Sequence, residues 1–343
     1  MLYTDDSVGV CVRRATNEDE ELEMNRNPLH WAARASLMIL AAGAAVSLVG
    51  ATGVSGEAAA SDEAPADAFA HLPAKITLDG TARDFRAGHQ TNPHPDFQRQ
   101  PRNSSGNGAF GHYAGIVASR LGADGKPVYA SGGYRVLSNA HDAAGREMLP
   151  MAGEVASRSG DVAAEMDHEG SAVTSAESLS QWFRDVPGVN ASKAVSIELV
   201  REPGSDQYVF DDQLDERYRA LGGFFPLNGE LYGNYENGKN YHFTYEIATS
   251  FQYREGSGQV FRFTGDDDVW VYVDGHLVID LGGVHGALDQ TIDLDRLEWL
   301  NDGEVYSLNF FFAERHTTKS NFRIETTLQL KSLDMPPMAP LWD

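Results

Sequence analysis

Residues 264–286 read TGDDDVWVYVDGHLVIDLGGVHG and set three consecutive aspartates, Asp266, Asp267 and Asp268, at the head of an alternating apolar run. Like charges at contact distance repel by about 1 kcal/mol even in water, and by more where water is excluded. A divalent cation relieves that repulsion. Carboxylate oxygens are hard ligands that suit Ca²⁺, whereas Mg²⁺ gives up its water reluctantly. The spacing is not the D-x-D-x-D-G of a helix–loop–helix calcium loop, so ligands from elsewhere must complete any site. A solvated acidic turn is the other reading of the same residues. His285 and His316 fall in the segments flanking the cluster and are candidate ligand-binding side chains.

The other chemical patterns are thin. His168-Glu169 has no second histidine four residues on, so the zinc-protease pattern fails. There is no G-x-S-x-G elbow and no phosphate-binding loop. The single cysteine, Cys11, lies close to the N-terminus and leaves nothing to pair with as a disulfide. Facing carboxylates, as used in glycoside hydrolysis, have many candidates in so acidic a chain, but no enzymatic activity is expected.

The elements that must position the cluster read as strands. Residues 240–253, 259–263, 269–273, 276–281, 306–314 and 322–330 are rich in β-branched and aromatic residues and are separated by short breaks. Asp274-Gly275, between two such runs, is a strong hairpin signal. Alternation sends Val269, Val271 and Val273 to the core and leaves Trp270 and Tyr272 on the other face or under a covering loop. Upstream, 76–85 reads as a strand, 92–115 as a loop and 138–172 as a surface excursion. Residues 174–186 read as a short amphipathic helix capped by Thr174 and Glu177, with Leu179, Trp182 and Phe183 on one face. A second short helix is expected at 211–221. The expected fold class is all-β, an antiparallel β-sandwich with one or two short helices and long loops.

Composition bounds the partners. The 343 residues carry a net charge of −23, which opposes association with nucleic acid or an anionic membrane surface. Residues 24–60 show a basic start (Arg26, Arg34), an apolar stretch at 35–54 and a small-residue zone near 58–60, the order of a cleaved signal peptide. Residues 1–23 are acidic, the wrong sign for such a start, and translation from Met24 is expected. An uncleaved anchor helix is the alternative for 35–54. Residues 1–60 hold 4 of the 27 basic and 8 of the 50 acidic residues, so the chain from 61 onward keeps a net charge of −19. Residues 61–75 read as a linker and 331–343 as a tail.

Several motifs, in order, resemble the bacterial fibro-slime domain: GTARDF, HPDFQ, QWFRDVPGVN, GGFFPLNG, YHFTYEIATSFQY, GDDDVWVYVDGHLVIDLGGVHG and YSLNFFFAERHTTKSNFRIETTLQL. They span 76–330, with 138–172 as an insertion. The last part, about 221–330, is similar to the jelly-roll lectin sandwich named after anthrax protective antigen. That resemblance implies a Ca²⁺ held by neighbouring aspartates joined through a cis peptide, which fall here on Asp266 and Asp267. Asp268 is then an extra carboxylate, and Asn321 in ERHTTKSNF is the implied ligand from a second loop. FFFAERH reads as core strand plus salt bridge rather than a catalytic set.

The sequence therefore leads us to expect a secreted or cell-surface, calcium-dependent carbohydrate-binding adhesion protein of the extracellular matrix. Its metal ligands are expected at Asp266, Asp267, Asp268 and Asn321, with Trp270, Tyr272 or Trp299 stacking on the sugar. Expected partners are a glycan or polysaccharide and other copies of the chain. No nucleic acid is expected, nor membrane insertion after signal cleavage. The alternatives are a fibre- or slime-forming matrix component, in which Ca²⁺ only rigidifies loops, and a carbohydrate-active hydrolase.

Overall fold

The computed structural model describes residues 67–99, 102, 110–151 and 153–333. The expected start at Met24, the signal segment, most of the linker and the end of the tail lie outside the described residues. Period-two alternation organises what is described. The strands are β1 (Lys75–Phe85), β2 (Tyr113–Ala114), β3 (Tyr134–Ser138), β4 (Glu165–Glu169), β5 (Asn190–Arg201), β6 (Tyr208–Asp211), β7 (Phe243–Gln252) and β8 (Val260–Gly265). They continue with β9 (Asp268–Val273), β10 (His276–Leu281), β11 (Leu288–Asp293), β12 (Val305–Glu314), β13 (Phe322–Thr326) and β14 (Lys331–Ser332). Among the described residues, two short α-helices, α1 (Ala176–Ser180) and α2 (Glu216–Leu221), complete an all-β antiparallel sandwich. Among the described residues, no helix is long and apolar enough to cross a membrane.

The main sheet runs β10-β9-β12-β7-β1-β5-β6-β13-β8-β11, with β14 pairing the far end of β7. It folds over itself at β5, which pairs with β1 along its whole length but with β6 only at Val200 and Arg201. The terminal strands β10 and β11 are bridged by one side chain. Gln290 donates to the Asp280 carbonyl at 2.9 Å and accepts from its N–H at 2.9 Å, replacing a ladder with a single amide. The sandwich is thus wider than the expected 221–330 core, because β1, β5 and β6 sit in mid-sheet between β7 and β13.

Val269, Val271 and Val273 point inward with Phe310 and Phe312, and meet Phe261, Phe263, Phe322 and Ile324 of the opposing layer. The outer face of β9, β10 and β12 is buried as well. Trp270, Tyr272, Leu277 and Phe311 pack under Phe97, Tyr113, Ile116, Leu179, Trp182 and Phe183, which belong to a covering layer drawn from residues 97–183. Burying each such side chain stabilises by about 1.5–3 kcal/mol, so this layer is part of the fold. Ion pairs fasten it too: Arg83 and Lys126 both bind Glu246, at 2.7 and 2.5 Å, all three nearly removed from water.

The helix expected at 174–186 closes after one turn and a half. Ser175, not Thr174, is the N-cap, and it exchanges hydrogen bonds with Ser178 in a capping box. Beyond it, the Asn190 amide donates to the carbonyls of Gln181 and Arg184, ending the helix. The helix expected at 211–221 begins only at Glu216, where Asp215 caps the N–H groups of Arg217 and Tyr218. The 138–172 stretch contributes β4, which pairs with β3 and, through it, with β2.

Candidate metal centre

Three connections meet at one end of the sandwich. Strand register brings Leu281 opposite Val269, Ala313 opposite Asp268, and both Leu288 and Phe322 opposite Gly265. The β8–β9 crossover, the β10–β11 loop and the β12–β13 loop therefore converge. Asp266 and Asp267 are the two residues of the crossover, and the peptide bond between them is cis. Gly265 is obligatory here, since a Cβ would lie 2.1 Å from the Asn321 carbonyl oxygen.

The two aspartates are held by main-chain donors. Asp266 accepts from Asn321 N at 2.7 Å and from Asn321 Nδ2 at 2.6 Å. Asp267 accepts from His285 N at 3.2 Å and from Arg315 N at 3.1 Å. Each aspartate is only 4 % exposed. Among the described residues, none offers either carboxylate a cationic side chain at ion-pair distance. Burial pushes Asp266 up to about 6, with Asp212 adding to the rise. Burial, then the Asp266 charge, pushes Asp267 well above the usual carboxylate range.

Glu314, at the end of β12, is fully buried. Burial and the charges of Asp267 and Asp266 hold it well above its ordinary value. Its Oε2 is shut off from solvent without a hydrogen-bond partner. Three buried carboxyl groups without a counter-cation cannot all ionise cheaply, and a bound cation removes that cost. The donor set is all oxygen, which suits a hard ion. Among the described residues, no three His, Cys, Asp or Glu side chains form a ready metal cage by themselves. Asp266, Asp267 and Asn321 would hold the ion with main-chain oxygens. A half-turn of the Asn321 amide puts Oδ1 where Nδ2 now stands.

Asp268 does not join this group. Period two sends it to the face of Trp270 and Tyr272, where Arg315 Nε meets its Oδ2 at 2.5 Å and Nη2 its Oδ1 at 3.0 Å. Gly283 N donates to Oδ1 at 2.6 Å. With its oxygens occupied and its charge neutralised, Asp268 is a structural residue, and its expected role as a ligand is corrected accordingly.

Trp270 is likewise corrected. It is completely buried, and its Nε1 donates to Asp280 at 2.9 Å, so it cannot stack on a sugar in solvent. Tyr272 is buried too, and Trp299 stacks on His276 at the opposite end of β10. His285 lies at the rim, with its main chain on Asp267; burial and His112 push its ring down to about 3. His316 borders the same end, hydrogen-bonded through Nδ1 to the Thr317 carbonyl and edge-on to Phe110.

Glu314 and Arg315 escaped notice as site residues because AERH reads equally well as the end of a core strand. The available signal was charge directly after the apolar run Phe310–Ala313, where an unpaired acid is costly.

Residues 227–338 match the PA14 domain model. In Dictyostelium discoideum, protein psiD is 35% identical over 222 residues, covering 62% of this chain and 36% of psiD. Protein psiQ of the same organism is 36% identical over 174 residues, covering 47% of this chain and 16% of psiQ. The chain thus spans about a third or less of these relatives. A solved PA14 sugar-binding domain from an RTX adhesin overlaps 28% of this chain and 52% of its own, with 19% identity and a TM-score of 0.21. The PA14 domain of the MpAFP antifreeze protein overlaps 30% and 60%, with 8% identity and a TM-score of 0.21.

Proposed function

We propose that this chain is a secreted, non-enzymatic protein of fibro-slime type that binds carbohydrate through a Ca²⁺ ion at Asp266 and Asp267, in adhesion or extracellular matrix. The observation that carries this reading is the pair of adjacent carboxylates, nearly buried, without a cationic partner among the described residues, at an end where three loops meet. When bound, the ion would offer open coordination positions to sugar hydroxyls. The protein's own contribution is orientation: Asn321 and the main-chain N–H groups of His285 and Arg315 fix the carboxylates, and the β10–β11 and β12–β13 loops form the rim. The PA14 match over residues 227–338 favours a glycan partner.

A glycan array with and without chelator tests the proposal, using wild type and Asp267→Ala. Calcium-dependent hits that vanish in the variant are expected. Calcium binding with no glycan hit would point instead to a matrix role in which the ion rigidifies loops.

A further inference from the structure

Gln98 holds a backbone conformation that a glutamine rarely adopts. Its φ of 58° lies in the left-handed region, where glycine is the usual residue. A side chain kept there against that preference is over-determined by its surroundings and points to a use. Those surroundings are specific. Gln98 N donates to the Arg315 carbonyl at 2.6 Å, and the N–H of the same Arg315 donates to Asp267 at 3.1 Å. The covering layer thus grips a residue that orients one of the crossover aspartates.

The Gln98 side chain reaches the same loop. Its Oε1 accepts from His242 Nε2 at 2.9 Å. Its Nε2 lies 3.2 Å from His316 Nε2 and 3.4 Å from Thr317 Oγ1. These contacts fix both rings. An amide oxygen only accepts, so His242 carries its hydrogen on Nε2. The Thr317 carbonyl takes Nδ1–H of His316 at 2.7 Å, which leaves His316 Nε2 as the acceptor for the Gln98 amide. His242 is a firm anchor. It is buried directly before β7, and its carbonyl accepts from Phe85 N of β1 at 2.8 Å. Gln98 therefore stretches from the sheet at His242 to the β12–β13 loop at His316 and Thr317. That loop carries Arg315 N and Asn321, which hold Asp267 and Asp266.

We infer that Gln98 is a positioning residue of the site, a strut from the covering layer that sets the β12–β13 loop. Through Arg315 and Asn321 it fixes the two aspartates in their binding geometry. This inference rests on the calcium reading of Asp266 and Asp267. Gln98 lies outside the residues 227–338 that match the PA14 model, so the site depends on chain that precedes the match.

The test uses the full chain: calorimetric titration with Ca²⁺ alone, melting temperature in chelator and in saturating Ca²⁺, and nitrogen NMR of the histidine rings. In the wild type, His316 should carry hydrogen on Nδ1 and His242 on Nε2. Gln98→Ala should weaken calcium binding by about tenfold or more, the usual effect of removing a group that orients a metal ligand. It should also shrink the calcium-induced rise in Tm and release His316 toward its Nε2–H form. Gln98→Glu offers an oxygen to each ring, so it should retain most of the affinity while placing hydrogen on His316 Nε2. Unchanged calcium affinity in Gln98→Ala, or an equal fall in Tm with and without Ca²⁺, overturns the inference but leaves the Asp266–Asp267 reading intact. A wild-type His316 with hydrogen only on Nε2 overturns it as well. No calcium binding by the wild type overturns both. If Gln98→Ala does not fold, Gln98→Met, which keeps the length and loses the hydrogen bonds, decides by the same readings.

Discussion

Arg315 and Asp268 form a two-pronged ion pair inside the protein, Nε to Oδ2 at 2.5 Å and Nη2 to Oδ1 at 3.0 Å, with both side chains almost wholly removed from water. The pair splits the aspartate run into one neutralised residue and two unpaired ones. It also ties β9 to the covering layer, because the guanidinium lies 5.0 Å from the Trp182 ring and bonds to Ala172. Removing one partner strands a buried charge, at a cost of about 3–5 kcal/mol. Arg315→Met is expected to destabilise by that amount in urea unfolding, and adding Asp268→Leu should recover most of it. A loss below about 1 kcal/mol in the single variant would contradict this role.

The stability that the buried carboxyls contribute to the metal-free protein should fall as pH rises from about 4 to about 7, opposed over the same window by His242 and His285, which burial pushes down to about 3. Burial pushes Asp84 and Asp280 up to about 7, and Asp212 and Asp266 up to about 6. A carboxyl whose folded value exceeds its unfolded one binds more protons when folded. Its contribution is therefore complete below the unfolded value, about 4, and is lost as pH passes the folded value. Urea midpoints measured in chelator should separate wild type from Asp280→Asn over this window, the wild type losing more stability as pH rises. Parallel profiles for the two would refute the burial account of Asp280.

Gly265→Ala should damage fold and site together. The new Cβ would sit 2.1 Å from the Asn321 carbonyl and 2.6 Å from the Phe263 ring, so β8 and β13 must part. We expect a loss of more than about 2 kcal/mol and a weaker calcium-induced rise in Tm. A variant with wild-type Tm in both chelator and Ca²⁺ would show that the backbone there yields easily.

Trp270→Phe separates packing from recognition. The indole is in the second core, so the variant should lose about 1–3 kcal/mol from the lost Asp280 hydrogen bond and lost volume. Binding to any glycan hit should persist at a temperature where the variant is folded. Selective loss of glycan binding with unchanged Tm would restore Trp270 to the recognition surface.

Local pattern made much of this protein legible. Alternation located β7–β10 and β12 within a few residues, and Asp274-Gly275 turns between β9 and β10 with both residues at positive φ. The inward set Val269, Val271 and Val273 followed from the same period. Strands β2 to β6, β11 and β14 were missed. β5 shows only a partial inward stripe, Val195, Ile197 and Leu199, between charged residues, and its partner β1 lies over 100 positions away.

The sequence by itself determined that three carboxylates stand side by side before a buried strand, because neighbours in the chain are neighbours in space. It also determined that Asp268 shares a face with Trp270 and Tyr272, because a strand's period is two. What lies against that face was decided only by tertiary structure. The covering layer from 97–183 and Arg315 on Asp268 both meet it through contacts between residues tens of positions apart. Side-chain pairing at that separation depends on strand order and register, and these come from how the whole sheet folds over at β5, which no local pattern encodes.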